Sequence, residues 1–175
     1  MMKLNMGLGT AARKVPQLGE VPTPELIVQG GEVAVPQDPA ILVTILGPCV
    51  SVCLFDPRSG VGGMSHFLLP VPPNDGQPNA RYGQWSQEEL IRRVIAVGAR
   101  RERLVAKVFG GAHITKFKTP KNAKSLGRQN WETALRLLEA DGIPVLAKDV
   151  GKTFARKVIF KTDDVSAWVK RIESR

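Results

Sequence analysis

Two residue types that can share nucleophilic chemistry stand near each other in this chain. Cys49 and His66 have sixteen residues between them, within the stretch TILGPCVSVCLFDPRSGVGGMSHFLLP from Thr44 to Pro70. A thiol attacks a carbonyl carbon well only as thiolate, and a neighbouring imidazole is a standard means of taking its proton. Cys49 follows Gly47–Pro48 at the head of an apolar run. Backbone N–H groups near such a sulfur are free to hold an oxyanion, although Pro48 has none to offer.

Taken singly, each of these residues also has an ordinary reading. A Cys in an apolar run is often a small core side chain, and Cys53 in mid-run fits that better than Cys49. A His among apolar neighbours is often a hydrogen-bonded core residue. His113 follows a glycine pair in a polar stretch and reads as loop. A zinc site from Cys49, Cys53, His66 and His113 is formally open, but Cys-x3-Cys along a strand suits a metal poorly and no second pair follows. The chain has no phosphate-binding glycine signature and no paired-carboxylate motif, so no cofactor is expected.

The elements that must position the pair are strands. Ala40 to Leu46 is rich in β-branched residues and reads as a buried strand. From Cys49 to Phe55, alternation puts Cys49, Ser51 and Cys53 on one face and Val50, Val52 and Leu54 on the other. Asp56 to Gly60 has the chemistry of a turn: Asp first, Pro next, Gly last. Val61 to Leu69 resumes as strand, with Gly62–Gly63 allowing close backbone approach. A hairpin of these two strands brings Cys49 and His66 together.

Around this hairpin the chain reads as follows. Residues 1–24 form a mobile lead-in, and residues 25–175 a single domain. Glu25 to Val35 is a polar and apolar mix with a Gly30–Gly31 turn. Pro70 to Pro78 is a surface loop long enough to lie over a site as a lid. Ser86 to Glu89 is a capping box opening a helix with Leu90, Ile91, Val94, Ile95 and Val97 at helical spacing, stopped by Gly98. Glu102 to Phe109 is a strand. A second helix runs from Gly127 to Ala140, with Trp131, Ala134, Leu135 and Leu138 as its apolar stripe. Ile143 to Val150 and Phe154 to Lys161 are strands, and Val165 to Ile172 is a last strand or short helix. Seven or eight strands with two helices make an α+β fold with helices on one side of the sheet.

Of 175 residues, 43% are hydrophobic and 23% charged, an ordinary globular balance. Two cysteines in one run are no disulfide framework, which points to a reducing, cytoplasmic setting. No apolar run is long enough to span a membrane, and no signal peptide is visible. The net charge of +9 admits an acidic partner, but aromatics do not interleave with the basic residues as a single-strand nucleic-acid binder requires.

The motifs together resemble the CheD family of bacterial chemotaxis proteins, the chemoreceptor glutamine deamidases. LGPC at Leu46 to Cys49 stands for the family's LGSC, VCLFDPR follows, and GVGGMSHFLLP matches a Gly-Gly-Met-x-His-x-x-Leu-Pro pattern. The likeness continues through Ala80-Arg81-Tyr82, AKVFGGA (Ala106 to Ala112), Leu126 to Asn130, and DVG with ARKVIF (Asp149 to Phe160). It covers about residues 25–162. It implies that Cys49 is the nucleophile and His66 the base. The family's third catalytic residue is a Thr shortly before the Cys, often six before. Here that position is Val43, and Thr44 lies five before. Pro48 replaces the usual Ser, and Lys152 the second Gly of DVGG. The implied fold is three-layered, a two-sheet β core with two main helices, resembling the catalytic domain of the cytotoxic necrotizing factor toxins. The implied partners are methyl-accepting chemotaxis receptors as substrate and a CheC-type phosphatase. The alternative is a CheD-like adaptor with an idle Cys–His pair.

Overall fold

The computed structural model describes residues 2–4, 23–73, 77–113 and 124–172. In chain order the elements are β1 (Met2–Leu4), β2 (Glu25–Ile27), β3 (Glu32–Ala34), β4 (Ile41–Leu46), β5 (Val50–Phe55), β6 (Gly62–Phe67), α1 (Gly83–Ala96), a 3-10 turn (Arg101–Arg103), β7 (Val105–Gly110), α2 (Leu126–Ala140), β8 (Val145–Val150), β9 (Ala155–Lys161) and β10 (Ala167–Ile172). One sheet has the order β1-β10-β9-β4-β2 and the other β3-β6-β5-β7-β8. Neighbours are antiparallel except for the β2–β4 and β7–β8 pairs, so both sheets are mixed.

The fold is α+β in three layers: two helices, the second sheet, then the first sheet. The middle layer explains why every residue of β5 and β6 is buried. One face of β5, Val50, Val52 and Leu54, packs with Leu90 and Val94 of α1 and Ala134 and Leu138 of α2. The other face, with Cys53, packs with Met64, Phe109, Leu42, Leu46 and Phe160 between the sheets. A strand covered on both sides loses the polar half of its alternation, so its sequence reads as a continuous apolar run.

The expected hairpin is present, with β5 and β6 antiparallel from Val50↔Phe67 to Phe55↔Gly62. Its turn is held as the residues suggest: Asp56 Oδ1 accepts from the N–H of Arg58 at 2.9 Å, and Gly60 takes φ 74°. Val165 to Ile172 resolves as strand, from Ala167. The strand expected from Glu102 starts only at Val105, because Arg101–Arg103 form a 3-10 turn from which Arg103 reaches Asp56.

One local expectation is corrected. Ser86 does not cap α1. The helix begins at Gly83, with Tyr82 as an N-cap that makes no side-chain bond, and Ser86 is buried in its first turn. The start is set by tertiary ties, since Gly83 N–H donates to Leu69 O at 2.9 Å. The expected Gly30–Gly31 turn is present, with Gly31 at φ 89°, and the strands flanking it join different sheets. Met2–Leu4 pairs with β10, and the rest of the expected lead-in up to residue 22 lies outside the described residues, as do residues 74–76 of the expected lid.

Candidate active site

The chain crosses from one sheet to the other at Gly47–Pro48, leaving the first sheet at Leu46 and entering the second at Val50. Cys49 sits at this crossing and is half-buried. The residues ending β7 hold it in place. Gly111 N–H donates to Cys49 O at 2.7 Å and Ala112 N–H to Gly47 O at 2.8 Å. Gly110, between them and the crossing, has φ 108°, and a Cβ there would collide with Cys49 O. Only glycine meets both demands.

His66 lies in β6, paired with Ser51 on one side and Glu32 of β3 on the other. Cys49 packs against the core between the sheets, and His66 turns toward the same gap, where it meets Thr44 of the other sheet. No hydrogen bond joins the Cys49 and His66 side chains among the described contacts; in an unliganded site such bonds are often long.

The far side of the imidazole is tied down. Thr44 Oγ1 donates to Val28 O at 2.7 Å and lies 2.9 Å from His66 Nδ1, which is also 3.3 Å from Val28 O. A carbonyl only accepts. The Thr44 proton is committed to Val28, so Nδ1 must carry the hydrogen that goes to Thr44. That assigns the tautomer: N–H at Nδ1, lone pair at Nε2. Nε2 is buried and has no hydrogen-bond partner among the described residues, which leave its lone pair uncommitted.

Burial pushes the Cys49 thiol up from its ordinary value, offset in part by its own N–H. Burial pushes the His66 imidazolium down, opposed by the Val28 carbonyl and the Glu32 carboxylate. Both shifts favour thiol and imidazole over thiolate and imidazolium. An imidazole in that form has a lone pair at Nε2 to accept a proton. A cavity of about 330 Å³ touches Thr44 and His66 from the β2–β4 side, walled by Val28, Gly30, Val43 and Lys157. Cys49 does not line it.

Thr44 faces inward and Val43 outward, so the structure brings Thr44 to His66 although it stands one residue from the usual position. Cys53 is fully buried in the inter-sheet core, where burial pushes its thiol up to about 12. His113 is exposed, and only its backbone takes part, donating to Lys152 O at 2.7 Å. Lys152 holds φ 68°, which explains why a glycine suits that place. The Val28 carbonyl was not visible as a site group in the sequence, since a backbone acceptor has no residue-type signal.

A family model described as CheD chemotactic sensory transduction matches residues 68–171. The chain is 44% identical over 164 residues to the probable chemoreceptor glutamine deamidase CheD 1 of Anaeromyxobacter dehalogenans, a match covering 91% of this chain and 94% of that protein. It is 46% identical over 121 residues to the probable chemoreceptor glutamine deamidase CheD of Trichlorobacter lovleyi, covering 69% and 74%. It is 40% identical over 148 residues to a Shewanella oneidensis protein of the same description, covering 82% and 70%. Among solved structures, the Bacillus licheniformis hypothetical protein YfiH aligns with TM-score 0.37 and 12% identity over 62% of this chain and 46% of that one, a likeness on which nothing rests.

Proposed function

The chain belongs to the CheD family, and from that premise we propose that it is a cysteine-dependent protein-glutamine deamidase acting on chemotaxis receptors. What supports the reading is the hydrogen-bond chain Val28 O···Thr44···His66, which leaves the Nε2 lone pair without a partner among the described residues. In this reading Nε2 takes the Cys49 proton while the sulfur attacks the side-chain carboxamide carbon of a receptor glutamine. The Cys49 N–H steadies the oxyanion. Protonated His66 then gives its proton to the departing nitrogen, the C–N bond breaks, and ammonia leaves a thioester. His66 next takes a proton from water, hydroxide adds to the thioester carbon, and the C–S bond breaks as sulfur regains its proton. The net change is glutamine and water to glutamate and ammonium. A glutamate methyl ester would follow the same course, with methanol leaving.

The two free thiols suit a reducing cytoplasm. A CheC-type phosphatase is the second partner implied by the family pattern. The test is Cys49→Ala on the folded protein, with ammonia release from a receptor fragment as the readout. Activity is expected to vanish, with Cys53 unable to substitute because its thiol is sealed and un-ionised. Undiminished deamidation by the variant would overturn the assignment, and wild-type protein that binds the fragment without deamidating it would favour the adaptor reading.

A further inference from the structure

Asn130 of α2 makes contacts that the Cys49–His66–Thr44 relay leaves unexplained. It is fully buried, and its Nδ2 donates to two carbonyls at 2.9 Å each. One belongs to Pro48, the residue before Cys49. The other belongs to Leu68, two residues past His66. The β5–β6 ladder ends at Val50↔Phe67. Beyond that pair Pro48 has no N–H to continue it, and Leu68 and Leu69 give theirs to Arg81 O. The segments that carry Cys49 and His66 therefore part at this end of the hairpin, and one carboxamide spans the opening.

The helix is seated for this purpose. Gly127, one turn before Asn130, lies so close to the carbonyls of Gly111 and Ala112 that a Cβ there would collide with both. Those same two residues give their N–H groups to Cys49 O and Gly47 O. The first turn of α2, the end of β7 and the Cys49 crossing thus pack as one unit. The buried Oδ1 of Asn130 has no hydrogen-bond partner among the described residues. An unmet buried acceptor is costly, and an apolar side chain would fill the space without that cost. The two donors are what the amide supplies.

We infer that Asn130 is a positioning residue: by tying Pro48 O and Leu68 O to one group, it sets the line between the Cys49 sulfur and His66 Nε2. This rests on the reading of Cys49 and His66 as nucleophile and base. Asn130 itself meets neither substrate nor reacting atoms. Misplacing reacting groups by about 1 Å costs on the order of 100-fold in rate, which sets the scale of the effect.

Asn130→Asp keeps the shape but turns an acceptor toward two carbonyls, and Asn130→Ala removes both bonds. Both are expected to lower kcat on a receptor fragment by about 10- to 100-fold, with KM little changed. Asn130→Ser, which keeps one donor, should fall between them and wild type. A second readout needs no receptor: the pH profile of Cys49 alkylation by iodoacetamide, which in the wild type should show an inflection from His66 and in the variants should lose it. A folded variant with kcat within about twofold of wild type, or an unchanged alkylation profile, overturns the inference. If Asp and Ala variants do not fold, the Ser variant and its alkylation profile decide. Failure of the deamidase reading would show separately, as activity surviving in Cys49→Ala.

Discussion

Replacing Thr44 by valine isolates one hydroxyl. Thr44 is buried, and valine is close to it in volume, so the backbone should hold its place. The variant loses a donor to Val28 O at 2.7 Å and an acceptor for His66 Nδ1–H at 2.9 Å. In the ground state these are neutral hydrogen bonds, and their loss should cost about 1–2 kcal/mol of stability. During attack His66 becomes a cation, and its Nδ1–H bond becomes charge-assisted, a class worth about 1.5–3 kcal/mol. Val28 O, 3.3 Å from Nδ1, retains a share. Only the difference between the two losses enters kcat, and a net loss of about 1 kcal/mol corresponds to roughly a fivefold fall. Thr44→Ser keeps the hydroxyl and should restore most of the rate. The pH profile gives an independent sign. His66 works as a base only when neutral, so kcat/KM rises with pH through its folded pKa, which burial holds below the ordinary value. Removing the Nδ1–H acceptor harms the cation more than the neutral ring, so this acid limb should move to lower pH in Thr44→Val. Ammonia release against pH, with thermal melts to confirm folding, measures both. A folded Thr44→Val with wild-type kcat and an unmoved acid limb would refute the relay.

Two further outcomes concern the frame around the site. Lys152 has an exposed side chain but a left-handed backbone at φ 68°. Lys152→Gly removes a strain of about 1–2 kcal/mol and restores about 0.5–1 kcal/mol of unfolded-chain entropy, so a net gain of about 0.5–1 kcal/mol and a Tm rise of about 1–4 °C are expected; a lower Tm would contradict the strain argument. Asp56 is buried. Burial alone would raise its carboxyl, but the Arg103 guanidinium, with the N–H groups of Arg100 and Arg58, holds it well below the usual carboxylate range. Its contribution is present above the unfolded value of about 3.9 and is lost as pH falls through the lower folded value. Urea titrations should therefore show the wild type losing more stability than Asp56→Asn between neutral pH and about pH 3. The variant should start about 3 kcal/mol less stable at neutral pH. Equal slopes in the two proteins would remove Asp56 from the account of acid sensitivity.

Much of the architecture was legible from local pattern. The β-branched run at Ile41–Leu46, the Asp56–Gly60 turn and the apolar stripe of α2 each carry their own short-range cause. The shared face of Ser51 and Cys53 followed from a period of two within β5, with Cys49 just ahead of the strand. The start of α1 was misread because Ser86 and Glu89 match a capping box, while tertiary bonds from Leu69 and Arg81 had already fixed the chain ahead of them. The Gly30–Gly31 turn was legible, but β2 and β3 on its two sides go to different sheets, and local residues carry no information about which sheet a strand joins.

Sequence alone determined that a thiol and an imidazole lie on two strands joined by a turn, on a chain with a CheD-like pattern. It did not determine that Thr44 meets His66. Counting along the chain from Cys49 carries parity only while a strand continues, and Gly47–Pro48 breaks the strand as the chain changes sheets. Thr44 belongs to the register of β4 against β9, where Thr44↔Val158 faces inward, and not to that of β5. The same holds for Asn130, 82 residues from Pro48 in sequence yet bonded to it. Long-range contacts of this kind come from packing one layer on another, and the physical agent is burial of shared apolar faces, which acts without regard to distance along the chain.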